Sequence, residues 1–393
     1  MAKVRVAGVG MIPFTKPGKS EDWDLMAEKA IRLALDDAGV GYEQIQQAYA
    51  GYVYADSTAG QSALYRVGLS GIPVVNVNNN CSTGSSALFL ARQLIELGGA
   101  DCVLAVGFEQ MMPGALGLVF NDRKATLERP LAAQAEIQGM SAGVPVAAQQ
   151  FGGAGADYQA RYGARSDTFG MISVKARKHA ANNPMALFRA PLSLEEVMQS
   201  PPLYGPLTRL QACAPTCGAA AAVLVSEAFA AKHGLDAPVA IMAQAMTTDR
   251  PSSFDAGSMM RVVGYDIARE AARQVYDAAG VGPDEVQLVE LHDCFTANEL
   301  ITYEALGLCG EGQAEQYIRD GQNTYGGRHV TNPSGGLLSK GHPLGATGLA
   351  QCYELTHQLR GTADQRQVEG ARLALQHNLG LGGACVVTLY GKA

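Results

Sequence analysis

Four side chains in this sequence have the right chemistry to attack, protonate or deprotonate a carbon centre. They are Cys81 in NVNNNCSTGSSAL, His292 and Cys294 in ELHDCF, and His342 in GHPLGATG. Cys81 stands just before an apolar stripe of helical spacing, Ala87, Leu88, Ala91, Leu94 and Ile95, that stops at Gly98 and Gly99. A thiol at a helix N-terminus meets free N–H groups and the positive end of the dipole, which lower its pKa below about 8.5 and suit a nucleophile. A free cysteine is more often a small packed hydrophobe, and this segment alone leaves that reading open. His292 and Cys294 are two residues apart, so an extended backbone turns both to one face, with Asp293 on the other as a structural residue. His342 is held between Gly341 and Pro343, a stiff setting for a base or an oxyanion donor, and equally for a packed histidine. Gly380, in the bend HNLGLGG, can offer its backbone N–H to an oxyanion with no side chain in the way.

Other chemistries fit less well. His-x-Cys is not a usual zinc spacing, and Cys213 with Cys217 in CAPTC is an incomplete site, so no metal is expected. The glycines of NPSGGLLSKGHPLGATG lack the GxxxxGK[ST] order of a phosphate loop. Lys175, Arg177, Lys178 and His179 are either a solvated helix face or a contact for a phosphate-bearing ligand.

Residues spread over more than 250 positions need a scaffold that folds back on itself, and the sequence supplies one by repetition. Residues 27–46, AEKAIRLALDDAGVGYEQIQ, align without a gap on 268–287, AREAARQVYDAAGVGPDEVQ. Ala27, Ala30, Asp36, Ala38, Gly39, Val40, Gly41 and Gln46 find identical partners. A short β-type run follows each copy, and the strands GAAAAVLVSE and GGACVVTLYG close the two halves. Between the matching parts lies an insertion rich in Gly, Pro and basic residues, the usual cover of an active site on an α/β scaffold. Its outline predicts an N-terminal half over 1–112 and 213–250, a loop domain over 113–212, and a C-terminal half over 251–393.

Composition agrees. At 393 residues, 47% hydrophobic and 17% charged, the chain is globular and long enough for two to three domains. A net charge of −7 without a dense basic run argues against nucleic acid. No apolar run nears the ~18 residues of a membrane span, and the first residues lack the layout of a signal peptide. Eight cysteines in so long a chain fit a reducing, cytoplasmic setting.

Taken together, NNNCSTGSSAL, LSLEEVM, LTRLQACAPTCGAAAAVL, ELHDCF, NPSGGLLSKGHPLGATG and HNLGLGG resemble the thiolase superfamily, most closely the thiolase domain of sterol carrier protein thiolases, across essentially the whole chain. HDCF separates that branch from common thiolases, which carry Asn in place of the His and take their second cysteine from the last bend. By this resemblance Cys294 is the second catalytic cysteine and Cys385 a strand residue, with Asn378 at the corresponding place in the bend. Cys217 departs from the family's usual Asp, at a position read as structural.

The resemblance implies an α/β thiolase fold, two similar mixed-sheet halves in five αβαβα layers with an inserted loop domain that binds coenzyme A. It implies a homodimer that cleaves 3-oxoacyl-CoA with CoA as co-substrate, or runs the reverse condensation, with no permanently bound cofactor. Cys81 is then the nucleophile, helped by His342. His292 and His342 support the enolate, Cys294 is acid and base, and the backbone N–H groups of Cys81 and Gly380 form the oxyanion hole. The alternatives are an aldolase-type relative, which tends to lose the nucleophilic cysteine, or a non-catalytic lipid-binding or scaffold protein. A small OB-fold companion is a further expected partner. The chain ends at Ala393 without a lipid-transfer domain or an S-K-L type terminus, which points to a bacterial-type enzyme.

Overall fold

The computed structural model describes residues 3–114 and 122–392, so the end of the MMPGALG stretch lies outside the described residues. The two repeated segments form helices, Trp23–Ala38 and Tyr265–Ala279. Each ends at a glycine in left-handed conformation, Gly39 with φ 63° and Gly280 with φ 68°, which closes the last turn without a Cβ clash. Each is followed by a short 3₁₀ turn and then a strand.

Among the described residues twelve strands form: β1 Val4–Met11, β2 Gln47–Gly51, β3 Val74–Val77, β4 Cys102–Glu109, β5 Pro202–Tyr204, β6 Leu207–Thr208, β7 Gly218–Ser226, β8 Val239–Thr247, β9 Leu288–Glu290, β10 Val330–Thr331, β11 Leu373–Gly380 and β12 Ala384–Lys392. Ten of them join in the order β10-β9-β11-β12-β8-β1-β7-β4-β2-β3, and β5 pairs with β6 apart. Outward from the middle, β1-β7-β4-β2-β3 and β8-β12-β11-β9-β10 are the same design. In each the first two junctions are antiparallel and the last two parallel. The duplication read from the helices therefore extends to strand order and direction.

The halves meet at β1 and β8, where only Arg5 with Ala240 and Val6 with Val239 are paired. This short seam joins what were expected to be two separate sheets. β8 runs alongside β12 over most of its length, so pairing groups it with the C-terminal half rather than with the 213–250 segment assigned to the N-terminal half. Helix Trp23–Ala38 packs on β1, β7 and β4, and helix Tyr265–Ala279 on β8 and β12. The helices Thr83–Glu96 and Thr347–Arg360 touch each other and strands of both halves. The order of layers is thus helix, sheet, paired central helices, sheet, helix. A core of Val6, Leu88, Ala91, Leu224, Leu349, Leu355 and Tyr390 fills the middle.

The insertion forms helices Glu128–Gln138, Val146–Tyr162, Ser166–Ala180 and Leu194–Gln199 and the β5–β6 hairpin. Its basic cluster is divided, with Lys178 exposed and Arg177 half-buried but the other two turned inward. Lys175 is buried and paired with Glu299, and His179 is buried with Nδ1 3.0 Å from the Asn332 carbonyl oxygen and Nε2 2.8 Å from Thr324 Oγ1. These residues tie the insertion to the C-terminal half.

Tight helix-on-strand packing sets a measurable constraint. A Cβ at Gly10 in β1 would lie 2.2 Å from the Ala30 carbonyl oxygen and 2.5 Å from the Ala34 nitrogen. Gly10→Ala is expected to destabilise the protein by about 1–3 kcal/mol, the cost of overpacking, read as a lower denaturation midpoint. A midpoint unchanged from wild type would show that the helix can move away.

Candidate active site

Asparagines build the turn that presents Cys81. Asn80 sits at φ 52°, a left-handed setting that asparagine tolerates, and reverses the chain after β3. Its amide donates to the Leu381 carbonyl at 3.1 Å, and its own N–H to Asn78 Oδ1 at 3.1 Å. The Asn79 amide donates to Ser86 Oγ at 2.9 Å, and its backbone N–H to Thr83 Oγ1 at 2.9 Å. Asn76 Oδ1 accepts from the Gly60 N–H at 2.9 Å. The asparagine run is a set of side-chain clamps on one turn.

The thiol stands just before helix Thr83–Glu96. The helix terminus does not lower its pKa as expected: burial pushes the Cys81 thiol up to about 12, and the nearby Glu109 carboxylate adds to the effect. The Leu381 and Cys81 N–H groups act against this. The resting residue is a neutral thiol that needs a local base.

That base is within reach. Cys81 Sγ and one ring nitrogen each of His292 and His342 lie within 4.8 Å of one another, all three residues buried. The imidazoles meet edge to face, with centroids 5.0 Å apart. Hydrogen bonding assigns each histidine a tautomer. Thr347 Oγ1 donates its single proton to the Pro343 carbonyl at 2.9 Å, so at 2.6 Å it accepts from His342 Nδ1–H. His342 Nε2, buried and without a protein partner, is left as a free acceptor. For His292 the order is reversed. The Asn378 amide donates to His292 Nδ1 at 3.0 Å and to the Cys81 carbonyl at 3.2 Å. Asn378 is oriented by Ser85 Oγ, which donates to its Oδ1 at 2.8 Å and itself accepts from Gln376 at 2.8 Å. His292 therefore carries its proton on Nε2. One ring is set to take a proton and the other to give one.

Cys294 lines the same cavity, which measures about 440 Å³ and is walled mainly by Met111, Phe151, Leu203, Phe295, Leu344 and Leu379. Burial first, then Cys213 and Cys81, hold its thiol well above the ordinary value, so it is a proton donor at neutral pH. Asp293 turns away, as its place in the motif suggested. Its carboxylate accepts from the Leu337 N–H at 2.7 Å and the Leu338 N–H at 3.3 Å, tying the HDCF segment to the segment that leads to His342. Gly380 packs on the Cys81 turn, where a Cβ would lie 2.3 Å from the Asn79 carbonyl oxygen. The amide that reaches the sulfur is that of Leu381, one residue on. Cys385 is a buried strand residue opposite Leu379, and Cys217 donates to the Met111 carbonyl at 3.4 Å.

The expectation of no metal meets a donor set compact enough to hold one, yet a proton on His292 Nε2 suits hydrogen bonding rather than coordination. Thr347, Asn378, Ser85 and Gln376, which set the tautomers, were not picked out as such in the sequence. Their only signal there was short polar residues beside the motifs.

Burial holds His342 down at about 3, with Lys340 adding to the effect. A depressed histidine pKa favours folding above the unfolded value of about 6.5, and that stability is lost as pH falls toward the folded value. His342 is accordingly expected to stay neutral, with its proton on Nδ1, from pH 5 to 8 in ¹⁵N NMR of the imidazoles. An imidazolium signal at pH 6 would contradict the assignment.

Residues 4–190 match the thiolase N-terminal domain, and residues 252–390 the thiolase C-terminal domain-like family. Sterol carrier protein 2 of Oryctolagus cuniculus is 54% identical over 394 residues, spanning 99% of this chain and 72% of that protein. A solved structure titled Ltp2-ChsH2(DUF35) aldolase superposes with a TM-score of 0.84 at 25% identity, covering 99% of this chain and 98% of that one. Human mitochondrial 3-ketoacyl-CoA thiolase, solved in complex with CoA, shares the fold with a TM-score of 0.75 at 19% identity, covering 100% and 98%. A duplicated α/β chain whose halves bring one thiol and two histidines together is thus matched in both halves and along its whole length, and it belongs to the thiolase family.

Proposed function

We propose that this protein cleaves a 3-oxoacyl-CoA with free CoA, giving a shortened acyl-CoA and acetyl-CoA, or runs the reverse condensation, through an acyl intermediate on Cys81. The observation that carries this reading is a buried thiol within 4.8 Å of both imidazoles, one of which, His342, has an Nε2 with no hydrogen-bond partner.

His342 Nε2 takes the Cys81 proton as sulfur attacks the 3-oxo carbon, so no free thiolate has to exist beforehand. Breaking the C2–C3 bond leaves an enolate whose oxygen needs donors in a water-poor site. His292 Nε2–H supplies one, and protonated His342 a second. Cys294 gives its proton to C2, which releases acetyl-CoA. The CoA thiol then enters and gives its proton to Cys294. It attacks the Cys81 thioester, and the oxyanion of the tetrahedral intermediate faces the amides of Cys81 and the Gly380–Leu381 bend. Collapse of that intermediate releases the shortened acyl-CoA and a Cys81 thiolate that takes its proton back from His342. The apolar walls suit a hydrocarbon acyl group and a role in lipid metabolism. A homodimer and a small companion protein belong to the same proposal.

The aldolase likeness favours a second reading, retro-aldol release of a carbonyl compound. That reaction needs no thiol co-substrate and no acyl-cysteine.

Purified protein with a panel of 3-oxoacyl-CoAs and CoA should lose the 3-oxoacyl absorbance only when CoA is present, and Cys81→Ala should reduce turnover by about 10³-fold or more. The aldolase reading predicts instead CoA-independent cleavage of a 3-hydroxyacyl-CoA to a carbonyl compound, undiminished in Cys81→Ala. Unchanged 3-oxoacyl-CoA turnover in that variant would overturn the acyl-Cys81 intermediate. Cys294→Ala is expected to stall the reaction, whereas Cys385→Ala keeps kcat and loses only stability. The reverse result would show that the second thiol is Cys385.

A further inference from the structure

Glu109 ends β4 with its carboxylate buried, and no cation figures among the groups that act on it. Three backbone amides hold it: Val53 N–H at 3.1 Å, Tyr54 N–H at 3.0 Å and Gly345 N–H at 3.0 Å. Gly345 belongs to the turn that carries His342, and it enters a space with no room for a side chain. A Cβ there would lie 2.4 Å from the Phe108 carbonyl oxygen and 2.6 Å from that of Gly51. A buried carboxylate without a cation is costly, and through Gly345, whose carbonyl oxygen would lie 2.7 Å from a Cβ at Gly84, it abuts the start of the helix that Cys81 precedes, a place that asks for a function.

We propose that Glu109 is a positioning residue of this site: through Gly345 it anchors the turn bearing His342, and its unpaired negative charge makes a thiolate at Cys81 tolerable only while the displaced proton sits on His342. The charge count gives the reason. Transfer of the Cys81 proton to His342 Nε2 creates a neutral ion pair beside Glu109. Loss of that proton to solvent leaves two anions together in a low-dielectric site, where their repulsion is little screened.

The other titratable groups around Cys81 do not supply a compensating cation. They are His292 and Cys294 after β9, Cys213 before β7 and Tyr54 after β2. Burial keeps His292 neutral and pushes all three others up. Glu109 also faces Tyr54 and Cys217. Lys340, a cation that acts on His342, is committed to Glu290 at 3.3 Å. Burial pushes Glu109 up to about 7 against the pull of its three amides, so the charge is present on the alkaline side of neutrality. The device shields the nucleophile from stray electrophiles and leaves it reactive when a substrate keeps the proton in the site.

The test is the pH dependence of Cys81 carbamidomethylation by iodoacetamide, followed by mass spectrometry of the Cys81 peptide. Glu109→Gln is expected to move the profile to lower pH, with roughly tenfold faster labelling at pH 8, the effect of one pKa unit. It should also lower kcat for thiolysis while leaving KM for CoA unchanged. Loosening of the turn would raise labelling equally at pH 6 and pH 8, whereas loss of the charge raises it only above the pH at which Glu109 ionises, about 7. The labelling arm needs no substrate, so it stands even if the thiolase reading on which the kinetic arm rests should fail. A Glu109→Gln profile that superimposes on wild type overturns the proposal. If that variant does not fold, the wild-type profile decides: ionisation of Glu109 near pH 7 should flatten the rise of Cys81 labelling with pH, and an even, roughly tenfold rise per pH unit from pH 6 to 9 overturns the proposal.

Discussion

The site depends on one close contact, where the N-terminal ends of the two central helices meet. A Cβ at Gly348 would lie 2.2 Å from Ser85 Oγ, and one at Gly84 would lie 2.7 Å from the Gly345 carbonyl oxygen. With no side chains between them, the backbones come near enough for the residues just ahead of each helix, Cys81 and His342, to share a pocket. The rest of the fold serves this contact. Two halves of one ten-stranded sheet, of equal design, press the helices together from either side, and outer helices cover them. Duplication is a simple way to obtain such a meeting point, because each half brings its own helix end to the pseudo-symmetric centre. Asn332, at φ 52° after β10, even repeats the backbone turn that Asn80 makes after β3.

The second constraint is electrostatic. The pocket gathers groups that would titrate in water, and burial holds them in their neutral forms: the Cys81 and Cys294 thiols are raised, and the His292 and His342 imidazoles are lowered. A site of neutral donors and acceptors stores little charge until a reaction creates it, and every proton then has a defined place to go. The tautomers make this directional. Thr347 orders one ring, and the chain from Gln376 through Ser85 and Asn378 orders the other. Carboxylates build the frame: Asp293 and Glu290 fasten the segment that leads to His342, and Glu109 fastens the turn that follows it.

Much of this was legible in advance where local pattern and local structure coincide. The repeated helices, their glycine stops and the strands behind them obey periodicity and capping rules that act over a few residues. The family motifs pointed to Cys81, His292, Cys294 and His342, and the structure gathers these four around one cavity. The basic cluster at 175–179 showed where such reading fails. Charge near charge suggested solvent or phosphate, but Lys175 meets Glu299, a partner 124 residues away that no local rule could reveal. Assignment of β8 went astray for a similar reason, since a strand's sheet is decided by the partner it finds and not by its own residues.

By itself the sequence determined the duplicated α/β plan, the turns that asparagine and glycine permit, and the kinds of reactive group available, because these follow from short-range sterics and side-chain chemistry. Tertiary structure alone decided that Cys81 meets His292 and His342, where each imidazole proton resides, and that the Leu381 amide reaches the Cys81 sulfur. It also reversed the expected effect on Cys81, whose helix-end position argued for a lowered pKa while burial raises it to about 12. The physical reason is common to all of these. Desolvation and hydrogen-bond direction are properties of the assembled interior, set by residues up to about 300 positions apart, and they exist only once the two halves have closed on each other.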